Sequence, residues 1–322
     1  TRFFAFADSV TTRNVGRNSN GHGWLGIRFQ TEPNTQPSQI LIHLQLWGKE
    51  YIQDQETIGA FGINLIFGAY EYHDRPEFLI ESLGDSIPKG HMEVDVIEFT
   101  GPAFKNVDNR LMSLKLVEAG LANAAIFNPQ GTMVEPSELF YKKSVLIQRG
   151  SFRPVTRLAM DMLECSIAEF IQEPKVESEE VVILLEMSIQ NLTTNNDANK
   201  IDSKDFLERV DCLSALGYPV AISNYGEFHR LAAYLFRYTQ KMIGITMGVP
   251  TLKEVFNEKY YDDLAGGILE SFGRLFKNDL KLYVYPWEEP ATSSLVTATN
   301  LLVDSHLRHL YQYLYENQFI QP

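Results

Sequence analysis

From residue 144 onward the chain alternates short strand-like runs with amphipathic helical runs, and this constrains the fold more than any other feature. The runs SVLIQ (144–148), VVILLEM (181–187), YPVAIS (218–223), MIGITM (242–247) and DLKLYVYP (279–286) are short and rich in β-branched or aromatic residues. Apolar spacing between and after them predicts helices over 154–172, 203–216, 228–239, from 251, and over 301–317. Successive strands separated by helices of this length pair in parallel, because a crossover helix returns the chain to the same end of the sheet.

The expected fold class is α/β, with a mixed α/β N-terminal part followed by a doubly wound, mostly parallel Rossmann-like sheet. The first part reads as strands over 3–7, 24–30 and 39–47, helices over 51–72 and 76–83, a strand over 92–99, a helix over 106–119 ended by Gly120, and a strand over 124–127. The run MEVDVIEF alternates apolar and acidic residues, as a half-buried strand should. The expected division is a mixed α/β domain over 1–140 and a Rossmann-like domain with a C-terminal helix over 141–322. Sheets of this kind take ligands beyond the carboxyl ends of their strands, where loops enter helix N-termini. The places to look are therefore after Gln148, Met187, Ser223 and Met247.

Composition narrows the function. Acidic residues outnumber basic ones 41 to 28, for a formal charge of −13. A general nucleic-acid binder needs a basic face, and an anionic membrane attracts basic segments, so neither is an expected partner. The longest apolar run, GAFGINLIFGA (59–69), is too short to span a bilayer. The N-terminal residues lack a signal-peptide pattern, and a cytoplasmic location is expected. The two cysteines, Cys165 and Cys212, form no C-x-x-C pair and fall in helical patterns, so they read as buried reduced thiols and not as zinc ligands.

One segment departs from this acidic background. Residues 142–157, KKSVLIQRGSFRPVTR, hold Lys142, Lys143, Arg149, Arg153 and Arg157 and no acid. Here a strand ends, Gly150 permits a tight turn, Ser151 offers a hydroxyl and an N–H, and Pro154 suits the first position of a helix. A helix N-terminus with arginines beside it receives a phosphate or carboxylate. The same arginines would equally suit pairing with nearby acids. The expected ligand-binding residues are Arg149, Gly150, Ser151, Arg153, Thr156 and Arg157, with Asn224 and Arg230 as second contributors from the loop after residue 223. Capping of the following helix by Ser223 or Asn224 is the alternative there.

The stretch Gly150-Ser151-Phe152-Arg153-Pro154-Val155-Thr156 resembles the opening signature of the nucleotidyltransferases that include nicotinate-nucleotide and phosphopantetheine adenylyltransferases. That signature reads Gly-Ser/Thr-Phe-Asp-Pro-x-Thr/His-x-Gly-His. Gly150, Ser151, Phe152, Pro154 and Thr156 match it; Arg153 stands at its Asp, and Leu158 and Ala159 at its Gly-His. The stretches VDNRLMSLKLVEAGL, FYKKSVLIQRGSFRPVT and GGILESFGRLFKNDLKLYVYP are also similar to an uncharacterised bacterial family often labelled nicotinate-nucleotide adenylyltransferase. The resemblance implies binding of a phosphorylated small molecule or nucleotide, with nucleotidyl transfer as the chemistry and ATP with Mg as the cofactor. The residues by themselves name no cofactor. The alternative is a non-catalytic assembly or scaffold protein on a degenerate nucleotidyltransferase-like fold.

Other signals are weaker. The loop 11–23 carries Arg13, Arg17 and His22 and reads as a binding loop or as a plain connection. AAIFNPQGT (124–132) resembles the haloacid-dehalogenase-like opening. Asn128 and Gln130 replace its two aspartates, and an amide supplies neither nucleophile nor acid, so a turn is expected. Glu270 and Arg274 are spaced to pair on one helix face. His306 and His309 offer no third ligand, and no metal site is expected. Tyr311, Tyr313, Tyr315 and Phe319 make an aromatic terminal helix, which suits core packing or a homo-oligomer contact.

Overall fold

In the computed structural model the described residues are 2–11, 20–48, 50–177, 180–194, 197–291 and 293–322. Their contacts divide the chain into two compact units. The first comprises residues 1–135, 202–211 and 221–224, and the second 136–201, 212–220 and 225–322. Arg13 and Arg17 lie outside the described residues.

The early elements are β1 (Phe4–Thr11), β2 (Gly21–Phe29), β3 (Ser38–Leu46), α1 (Tyr51–Glu71), α2 (Pro76–Ser82), β4 (Met92–Thr100), α3 (Asn109–Glu118) and β5 (Ala124–Phe127). β1 to β4 form an antiparallel sheet in chain order. Residues paired across such strands point to the same face. One face therefore carries Leu25, Ile27, Phe29, Ile40, Ile42, Leu44 and Val94, all of them buried. α1 meets this sheet along a stripe that includes Phe61, Gly62 and Leu65. A Cβ on Gly62 would come within 3.2 Å of the Phe6 ring, so the helix lies close against β1.

The later elements are α4 (Pro136–Phe140), β6 (Ser144–Arg149), α5 (Arg157–Phe170), β7 (Val181–Ser188), the short ribbon β8 (Thr193–Thr194) and β9 (Asp197–Ile201), α6 (Ser203–Ala215), β10 (Val220–Ser223), α7 (Phe228–Leu235), β11 (Ile243–Gly248), α8 (Val249–Val255), α9 (Gly267–Leu275) and β12 (Leu280–Tyr285). A second ribbon, β13 (Trp287–Glu289) and β14 (Ser294–Val296), precedes α10 (Arg308–Glu316) and β15 (Ile320–Gln321). The main sheet has seven strands in the order β15-β12-β11-β6-β7-β10-β5. The pairs β6/β7, β6/β11, β11/β12 and β12/β15 are parallel. The fold is thus α/β with a mostly parallel sheet, as the strand–helix alternation predicts. Leu146, Phe170, Met242 and Tyr283 form one part of its core. Gly244 is required there, because a Cβ would lie 2.7 Å from Leu146 Cδ1 and 2.9 Å from the Phe170 ring.

Several expectations change. The terminal helix α10 starts at Arg308 and not at residue 301. α5 starts at Arg157 and not at Pro154, because Thr156 caps it: its Oγ1 accepts the Ala159 N–H at 3.1 Å. Cys165 and Cys212 are exposed and not buried. The buried stripes run through Leu163, Ser166 and Phe170 on α5 and through Phe206, Val210 and Leu213 on α6, which turns both thiols outward. The acids of β4 do not all face water: Glu93 and Asp95 are 2% and 3% exposed. Among the described residues, no helix is long and apolar enough to cross a membrane.

Candidate functional site

β6 ends at the point where the sheet reverses its winding. The chain goes from β6 to β7 on one side, and later returns to place β11 on the other side. The loop that leaves β6 is therefore the basic segment 149–157.

Arg149 is fixed at the strand end. Its Nε donates to Glu186 Oε2 at 2.6 Å and its Nη2 to Glu186 Oε1 at 3.1 Å. Nη1 donates to Gly226 O at 2.6 Å, and Nη2 also to Tyr225 O at 2.8 Å. The guanidinium sits 4.7 Å from the centre of the Phe228 ring. Glu186 is wholly buried and stands beside Arg149 in the β6/β7 register. A bidentate guanidinium–carboxylate pair of this kind is geometrically specific and neutralises both charges. Arg149 thus ties two strand ends to the turn at 225–226.

The next residues form a supported turn with an exposed polar side. Gly150 N donates to Glu186 O at 3.0 Å. Phe152 takes a left-handed φ of 47° and tucks its ring beneath Gly150, where a Cβ would sit 3.0 Å from the ring. This packing explains why the turn needs glycine at 150 and an aromatic residue at 152. Ser151, Arg153, Thr156 and Arg157 are exposed. Gln148, buried at the end of β6, donates from Nε2 to Ala159 O at 3.0 Å and holds the first turn of α5 in place.

The other expected residues are placed differently. Arg230 ion-pairs with Asp263 at 2.9 Å and with Glu227 at 3.2 Å. Asn224 belongs to the first unit, where its N–H donates to Asn123 O at 2.8 Å. α7 begins at Phe228, so neither Ser223 nor Asn224 is its N-cap. Arg274 pairs with Glu270 at 2.5 Å, as their spacing predicts. His306 contacts Glu258 at 2.6 Å. Tyr311 of the aromatic helix packs on Phe256 at 5.2 Å between ring centres, whereas Tyr313 is 57% exposed.

A cavity of about 300 Å³ opens beside the Arg149 clamp, lined by Gly226, Glu227, Phe228, Thr251, Glu254 and Tyr261 among others. Burial pushes the Tyr261 hydroxyl up to about 12, so it remains a neutral donor and acceptor. Burial also lowers the His229 pKa below its ordinary value, with Arg230 and Arg274 adding to the effect against Glu227. His229 Nδ1 lies 3.0 Å from Ser271 Oγ.

A second polar constellation, in the first unit, escaped the sequence reading. β3 and β4 slip register between His43 and Leu44: His43 pairs with Val96 and Leu44 with Val94. Asp95 is the extra residue of this bulge, and bulges re-aim side chains. His43 Nδ1 contacts Asp95 Oδ1 at 2.6 Å, and Gln45 Nε2 donates to Asp95 Oδ2 at 3.1 Å. His22, from the end of the loop flagged in the sequence, places Nδ1 3.4 Å from His43 Nε2. Glu135 Oε2 lies 3.9 Å from the same nitrogen. The turn at 128–132 returns the chain along β5 and so delivers Glu135. Asn128 Oδ1 accepts the N–H groups of Gln130 and Thr132, which makes Asn128 the turn-forming residue expected.

A signal for this cluster exists in MEVDVIEFT. Its inward apolar residues fall at 92 and 94 and then at 97 and 99. That change of phase is what a bulge produces. Comparison with protein-family models, curated proteins and solved structures finds no match to the chain.

Proposed function

We propose that the chain binds a phosphorylated small molecule, with a nucleotide as the class, on the loop 150–157. The observation that carries this reading is the loop's position at the reversal of strand order. Counted from β6, the strands β6, β7, β10, β11, β12 and β15 follow the Rossmann-like order 3-2-1-4-5-6. A doubly wound sheet opens a crevice at that reversal, beyond the carboxyl ends of its strands. Arg149 serves as the scaffold beneath the loop, since Glu186 already neutralises it. Exposed Arg153 and Arg157 supply the charge, and Ser151 adds a hydroxyl. Thr156 sets the start of α5 that faces the anion. The cavity beside Phe228 is the space for the uncharged remainder of the ligand.

Nucleotidyl transfer in the resembled family uses a Gly-His pair, and Leu158 and Ala159 cannot replace an imidazole. Binding is therefore the function proposed. Any transfer would act through charge stabilisation by the two arginines.

The test is a thermal-shift titration with ATP and with nicotinate mononucleotide. A ligand at a hundredfold over its Kd stabilises by about 2.7 kcal/mol, an easily read shift. Stabilisation by either ligand, lost in Arg153→Ala, is the expected result. No shift with either, together with a concentration-dependent oligomer, would favour an assembly role built on exposed residues such as Tyr313.

A further inference from the structure

We propose that His22, His43 and Glu135 form a binding site for one divalent transition-metal ion, with Asp95 orienting His43. Two donor separations suit an ion, and His43, Asp95 and Glu135 each bring a donor atom within 4.8 Å of the others. His43 Nε2 lies 3.4 Å from His22 Nδ1 and 3.9 Å from Glu135 Oε2. Two metal–ligand bonds of about 2.0–2.1 Å at a tetrahedral angle hold their donor atoms about 3.4 Å apart. The first pair already has that separation, and the second reaches it with a shift of about half an ångström in the Glu135 side chain.

The support behind His43 is what a metal-binding imidazole needs. The Asp95 carboxylate, 2.6 Å from Nδ1, accepts a hydrogen bond from Nδ1–H, which turns the Nε2 lone pair toward His22 and Glu135. Asp95 is itself held through Gln45 Nε2, and the bulge at His43/Leu44 supplies its position. His43 and Asp95 are 1% and 3% exposed, so the imidazole cannot swing away without leaving the core of the sheet.

Charge points the same way. Two carboxylates, Asp95 and Glu135, stand against one buried imidazole, and their donor atoms lie within 4.8 Å of one another. A divalent cation carries charge enough to neutralise both acids. His22 is exposed, which gives the ion a path from solvent and leaves coordination positions for water. Two imidazoles and one carboxylate suit Zn²⁺, Fe²⁺ or Mn²⁺ better than Mg²⁺ or Ca²⁺, which prefer all-oxygen shells. This site lies wholly in the first unit and is independent of the loop at 150–157.

The experiment is a titration of the chelator-stripped protein with Zn²⁺ alone, followed by calorimetry, with Co²⁺ as an optical probe. One equivalent is expected to bind and to raise the unfolding temperature. Bound Co²⁺ should show the visible bands of a low-symmetry nitrogen–oxygen site. Asp95→Asn is expected to weaken binding 10–100-fold. Because His43 is buried, His43→Ala could also disturb folding. His22→Ala and Glu135→Gln, at more accessible positions, should stay folded and each lose at least tenfold in affinity. Absence of stoichiometric Zn²⁺ binding by the folded wild type would overturn the proposal. So would wild-type affinity in both His22→Ala and Glu135→Gln, or loss of binding on His306→Ala, which would place the ion at the exposed His306–Glu258 pair.

Discussion

The loop at 150–157 and the sheet face around His43 carry their polar groups in opposite ways. In the loop, Arg153 and Arg157 are exposed on a turn whose backbone is supported from below by Phe152, Gln148 and the Arg149–Glu186 pair. Around His43, the imidazole and the Asp95 carboxylate are themselves buried, on strands whose register brings them together. An exposed cationic loop can meet an anion with little rearrangement. A ligand for the buried imidazole and its carboxylates would have to enter the sheet face and offset their burial. Within the loop the same contrast recurs over four residues: Arg149 is held by Glu186, and Arg153 is exposed.

The largest effect expected concerns the supporting pair. Glu186→Gln leaves the half-buried Arg149 without its counter-charge and should cost about 3 kcal/mol, read as a lower urea midpoint at unchanged m-value. A loss under about 1 kcal/mol would mean that Arg149 is not committed to the scaffold, and the contrast with Arg153 would fail.

Next is Thr156→Ala, which removes the cap of α5 and should cost about 1 kcal/mol, with Thr156→Ser recovering most of it. If Thr156→Ala left stability unchanged but weakened ligand binding, Thr156 would be a ligand contact and not a cap.

These two predictions also mark how far the sequence could be read. The strands from 144 onward are legible to within a few residues, because parallel strands buried on both faces read as unbroken apolar runs. The basic segment is legible because five basic residues fall within residues 142–157 with no acid among them. The division of labour within it is not, since it depends on Glu186, 37 residues away, and on the carbonyls of Tyr225 and Gly226. The start of α5 is misread because Pro154 and Thr156 are both good helix-start residues, and only the capping geometry separates them. Around His43 the obstacle is register. Asp95 reads as a solvent-facing residue of an alternating strand; it does lie on the face away from Leu44 and Val94, but that face is buried as well, as Glu93 and His43 beside it show.

A smaller effect is expected for Arg153→Ala and Arg157→Ala, which should change unfolding free energy by less than about 0.5 kcal/mol each, as exposed substitutions do. Their effect belongs to ligand binding, with a salt dependence that weakens as each charge is removed. A large loss of stability in either would make the exposed loop as structural as Arg149.

The last effect is a pH slope. His229 has a folded-state pKa below 6.5 because burial disfavours its charged form. The unfolded chain then takes up the proton first, so stability falls as pH drops from 6.5 toward the folded-state value and is unaffected above 6.5. Urea unfolding between pH 5 and 8 should show this slope, and His229→Gln should flatten it. An unchanged slope in the variant would assign it to other groups.

The most direct test of an anion site at the reversal of strand order is amide hydrogen exchange with and without excess ATP. The account predicts slowed exchange in peptides covering 150–160 and no change in those covering 21–46 and 92–100, with the protection lost in the Arg153→Ala/Arg157→Ala double variant. Unchanged exchange at 150–160 while ATP is bound, or equal protection in the double variant, would contradict it.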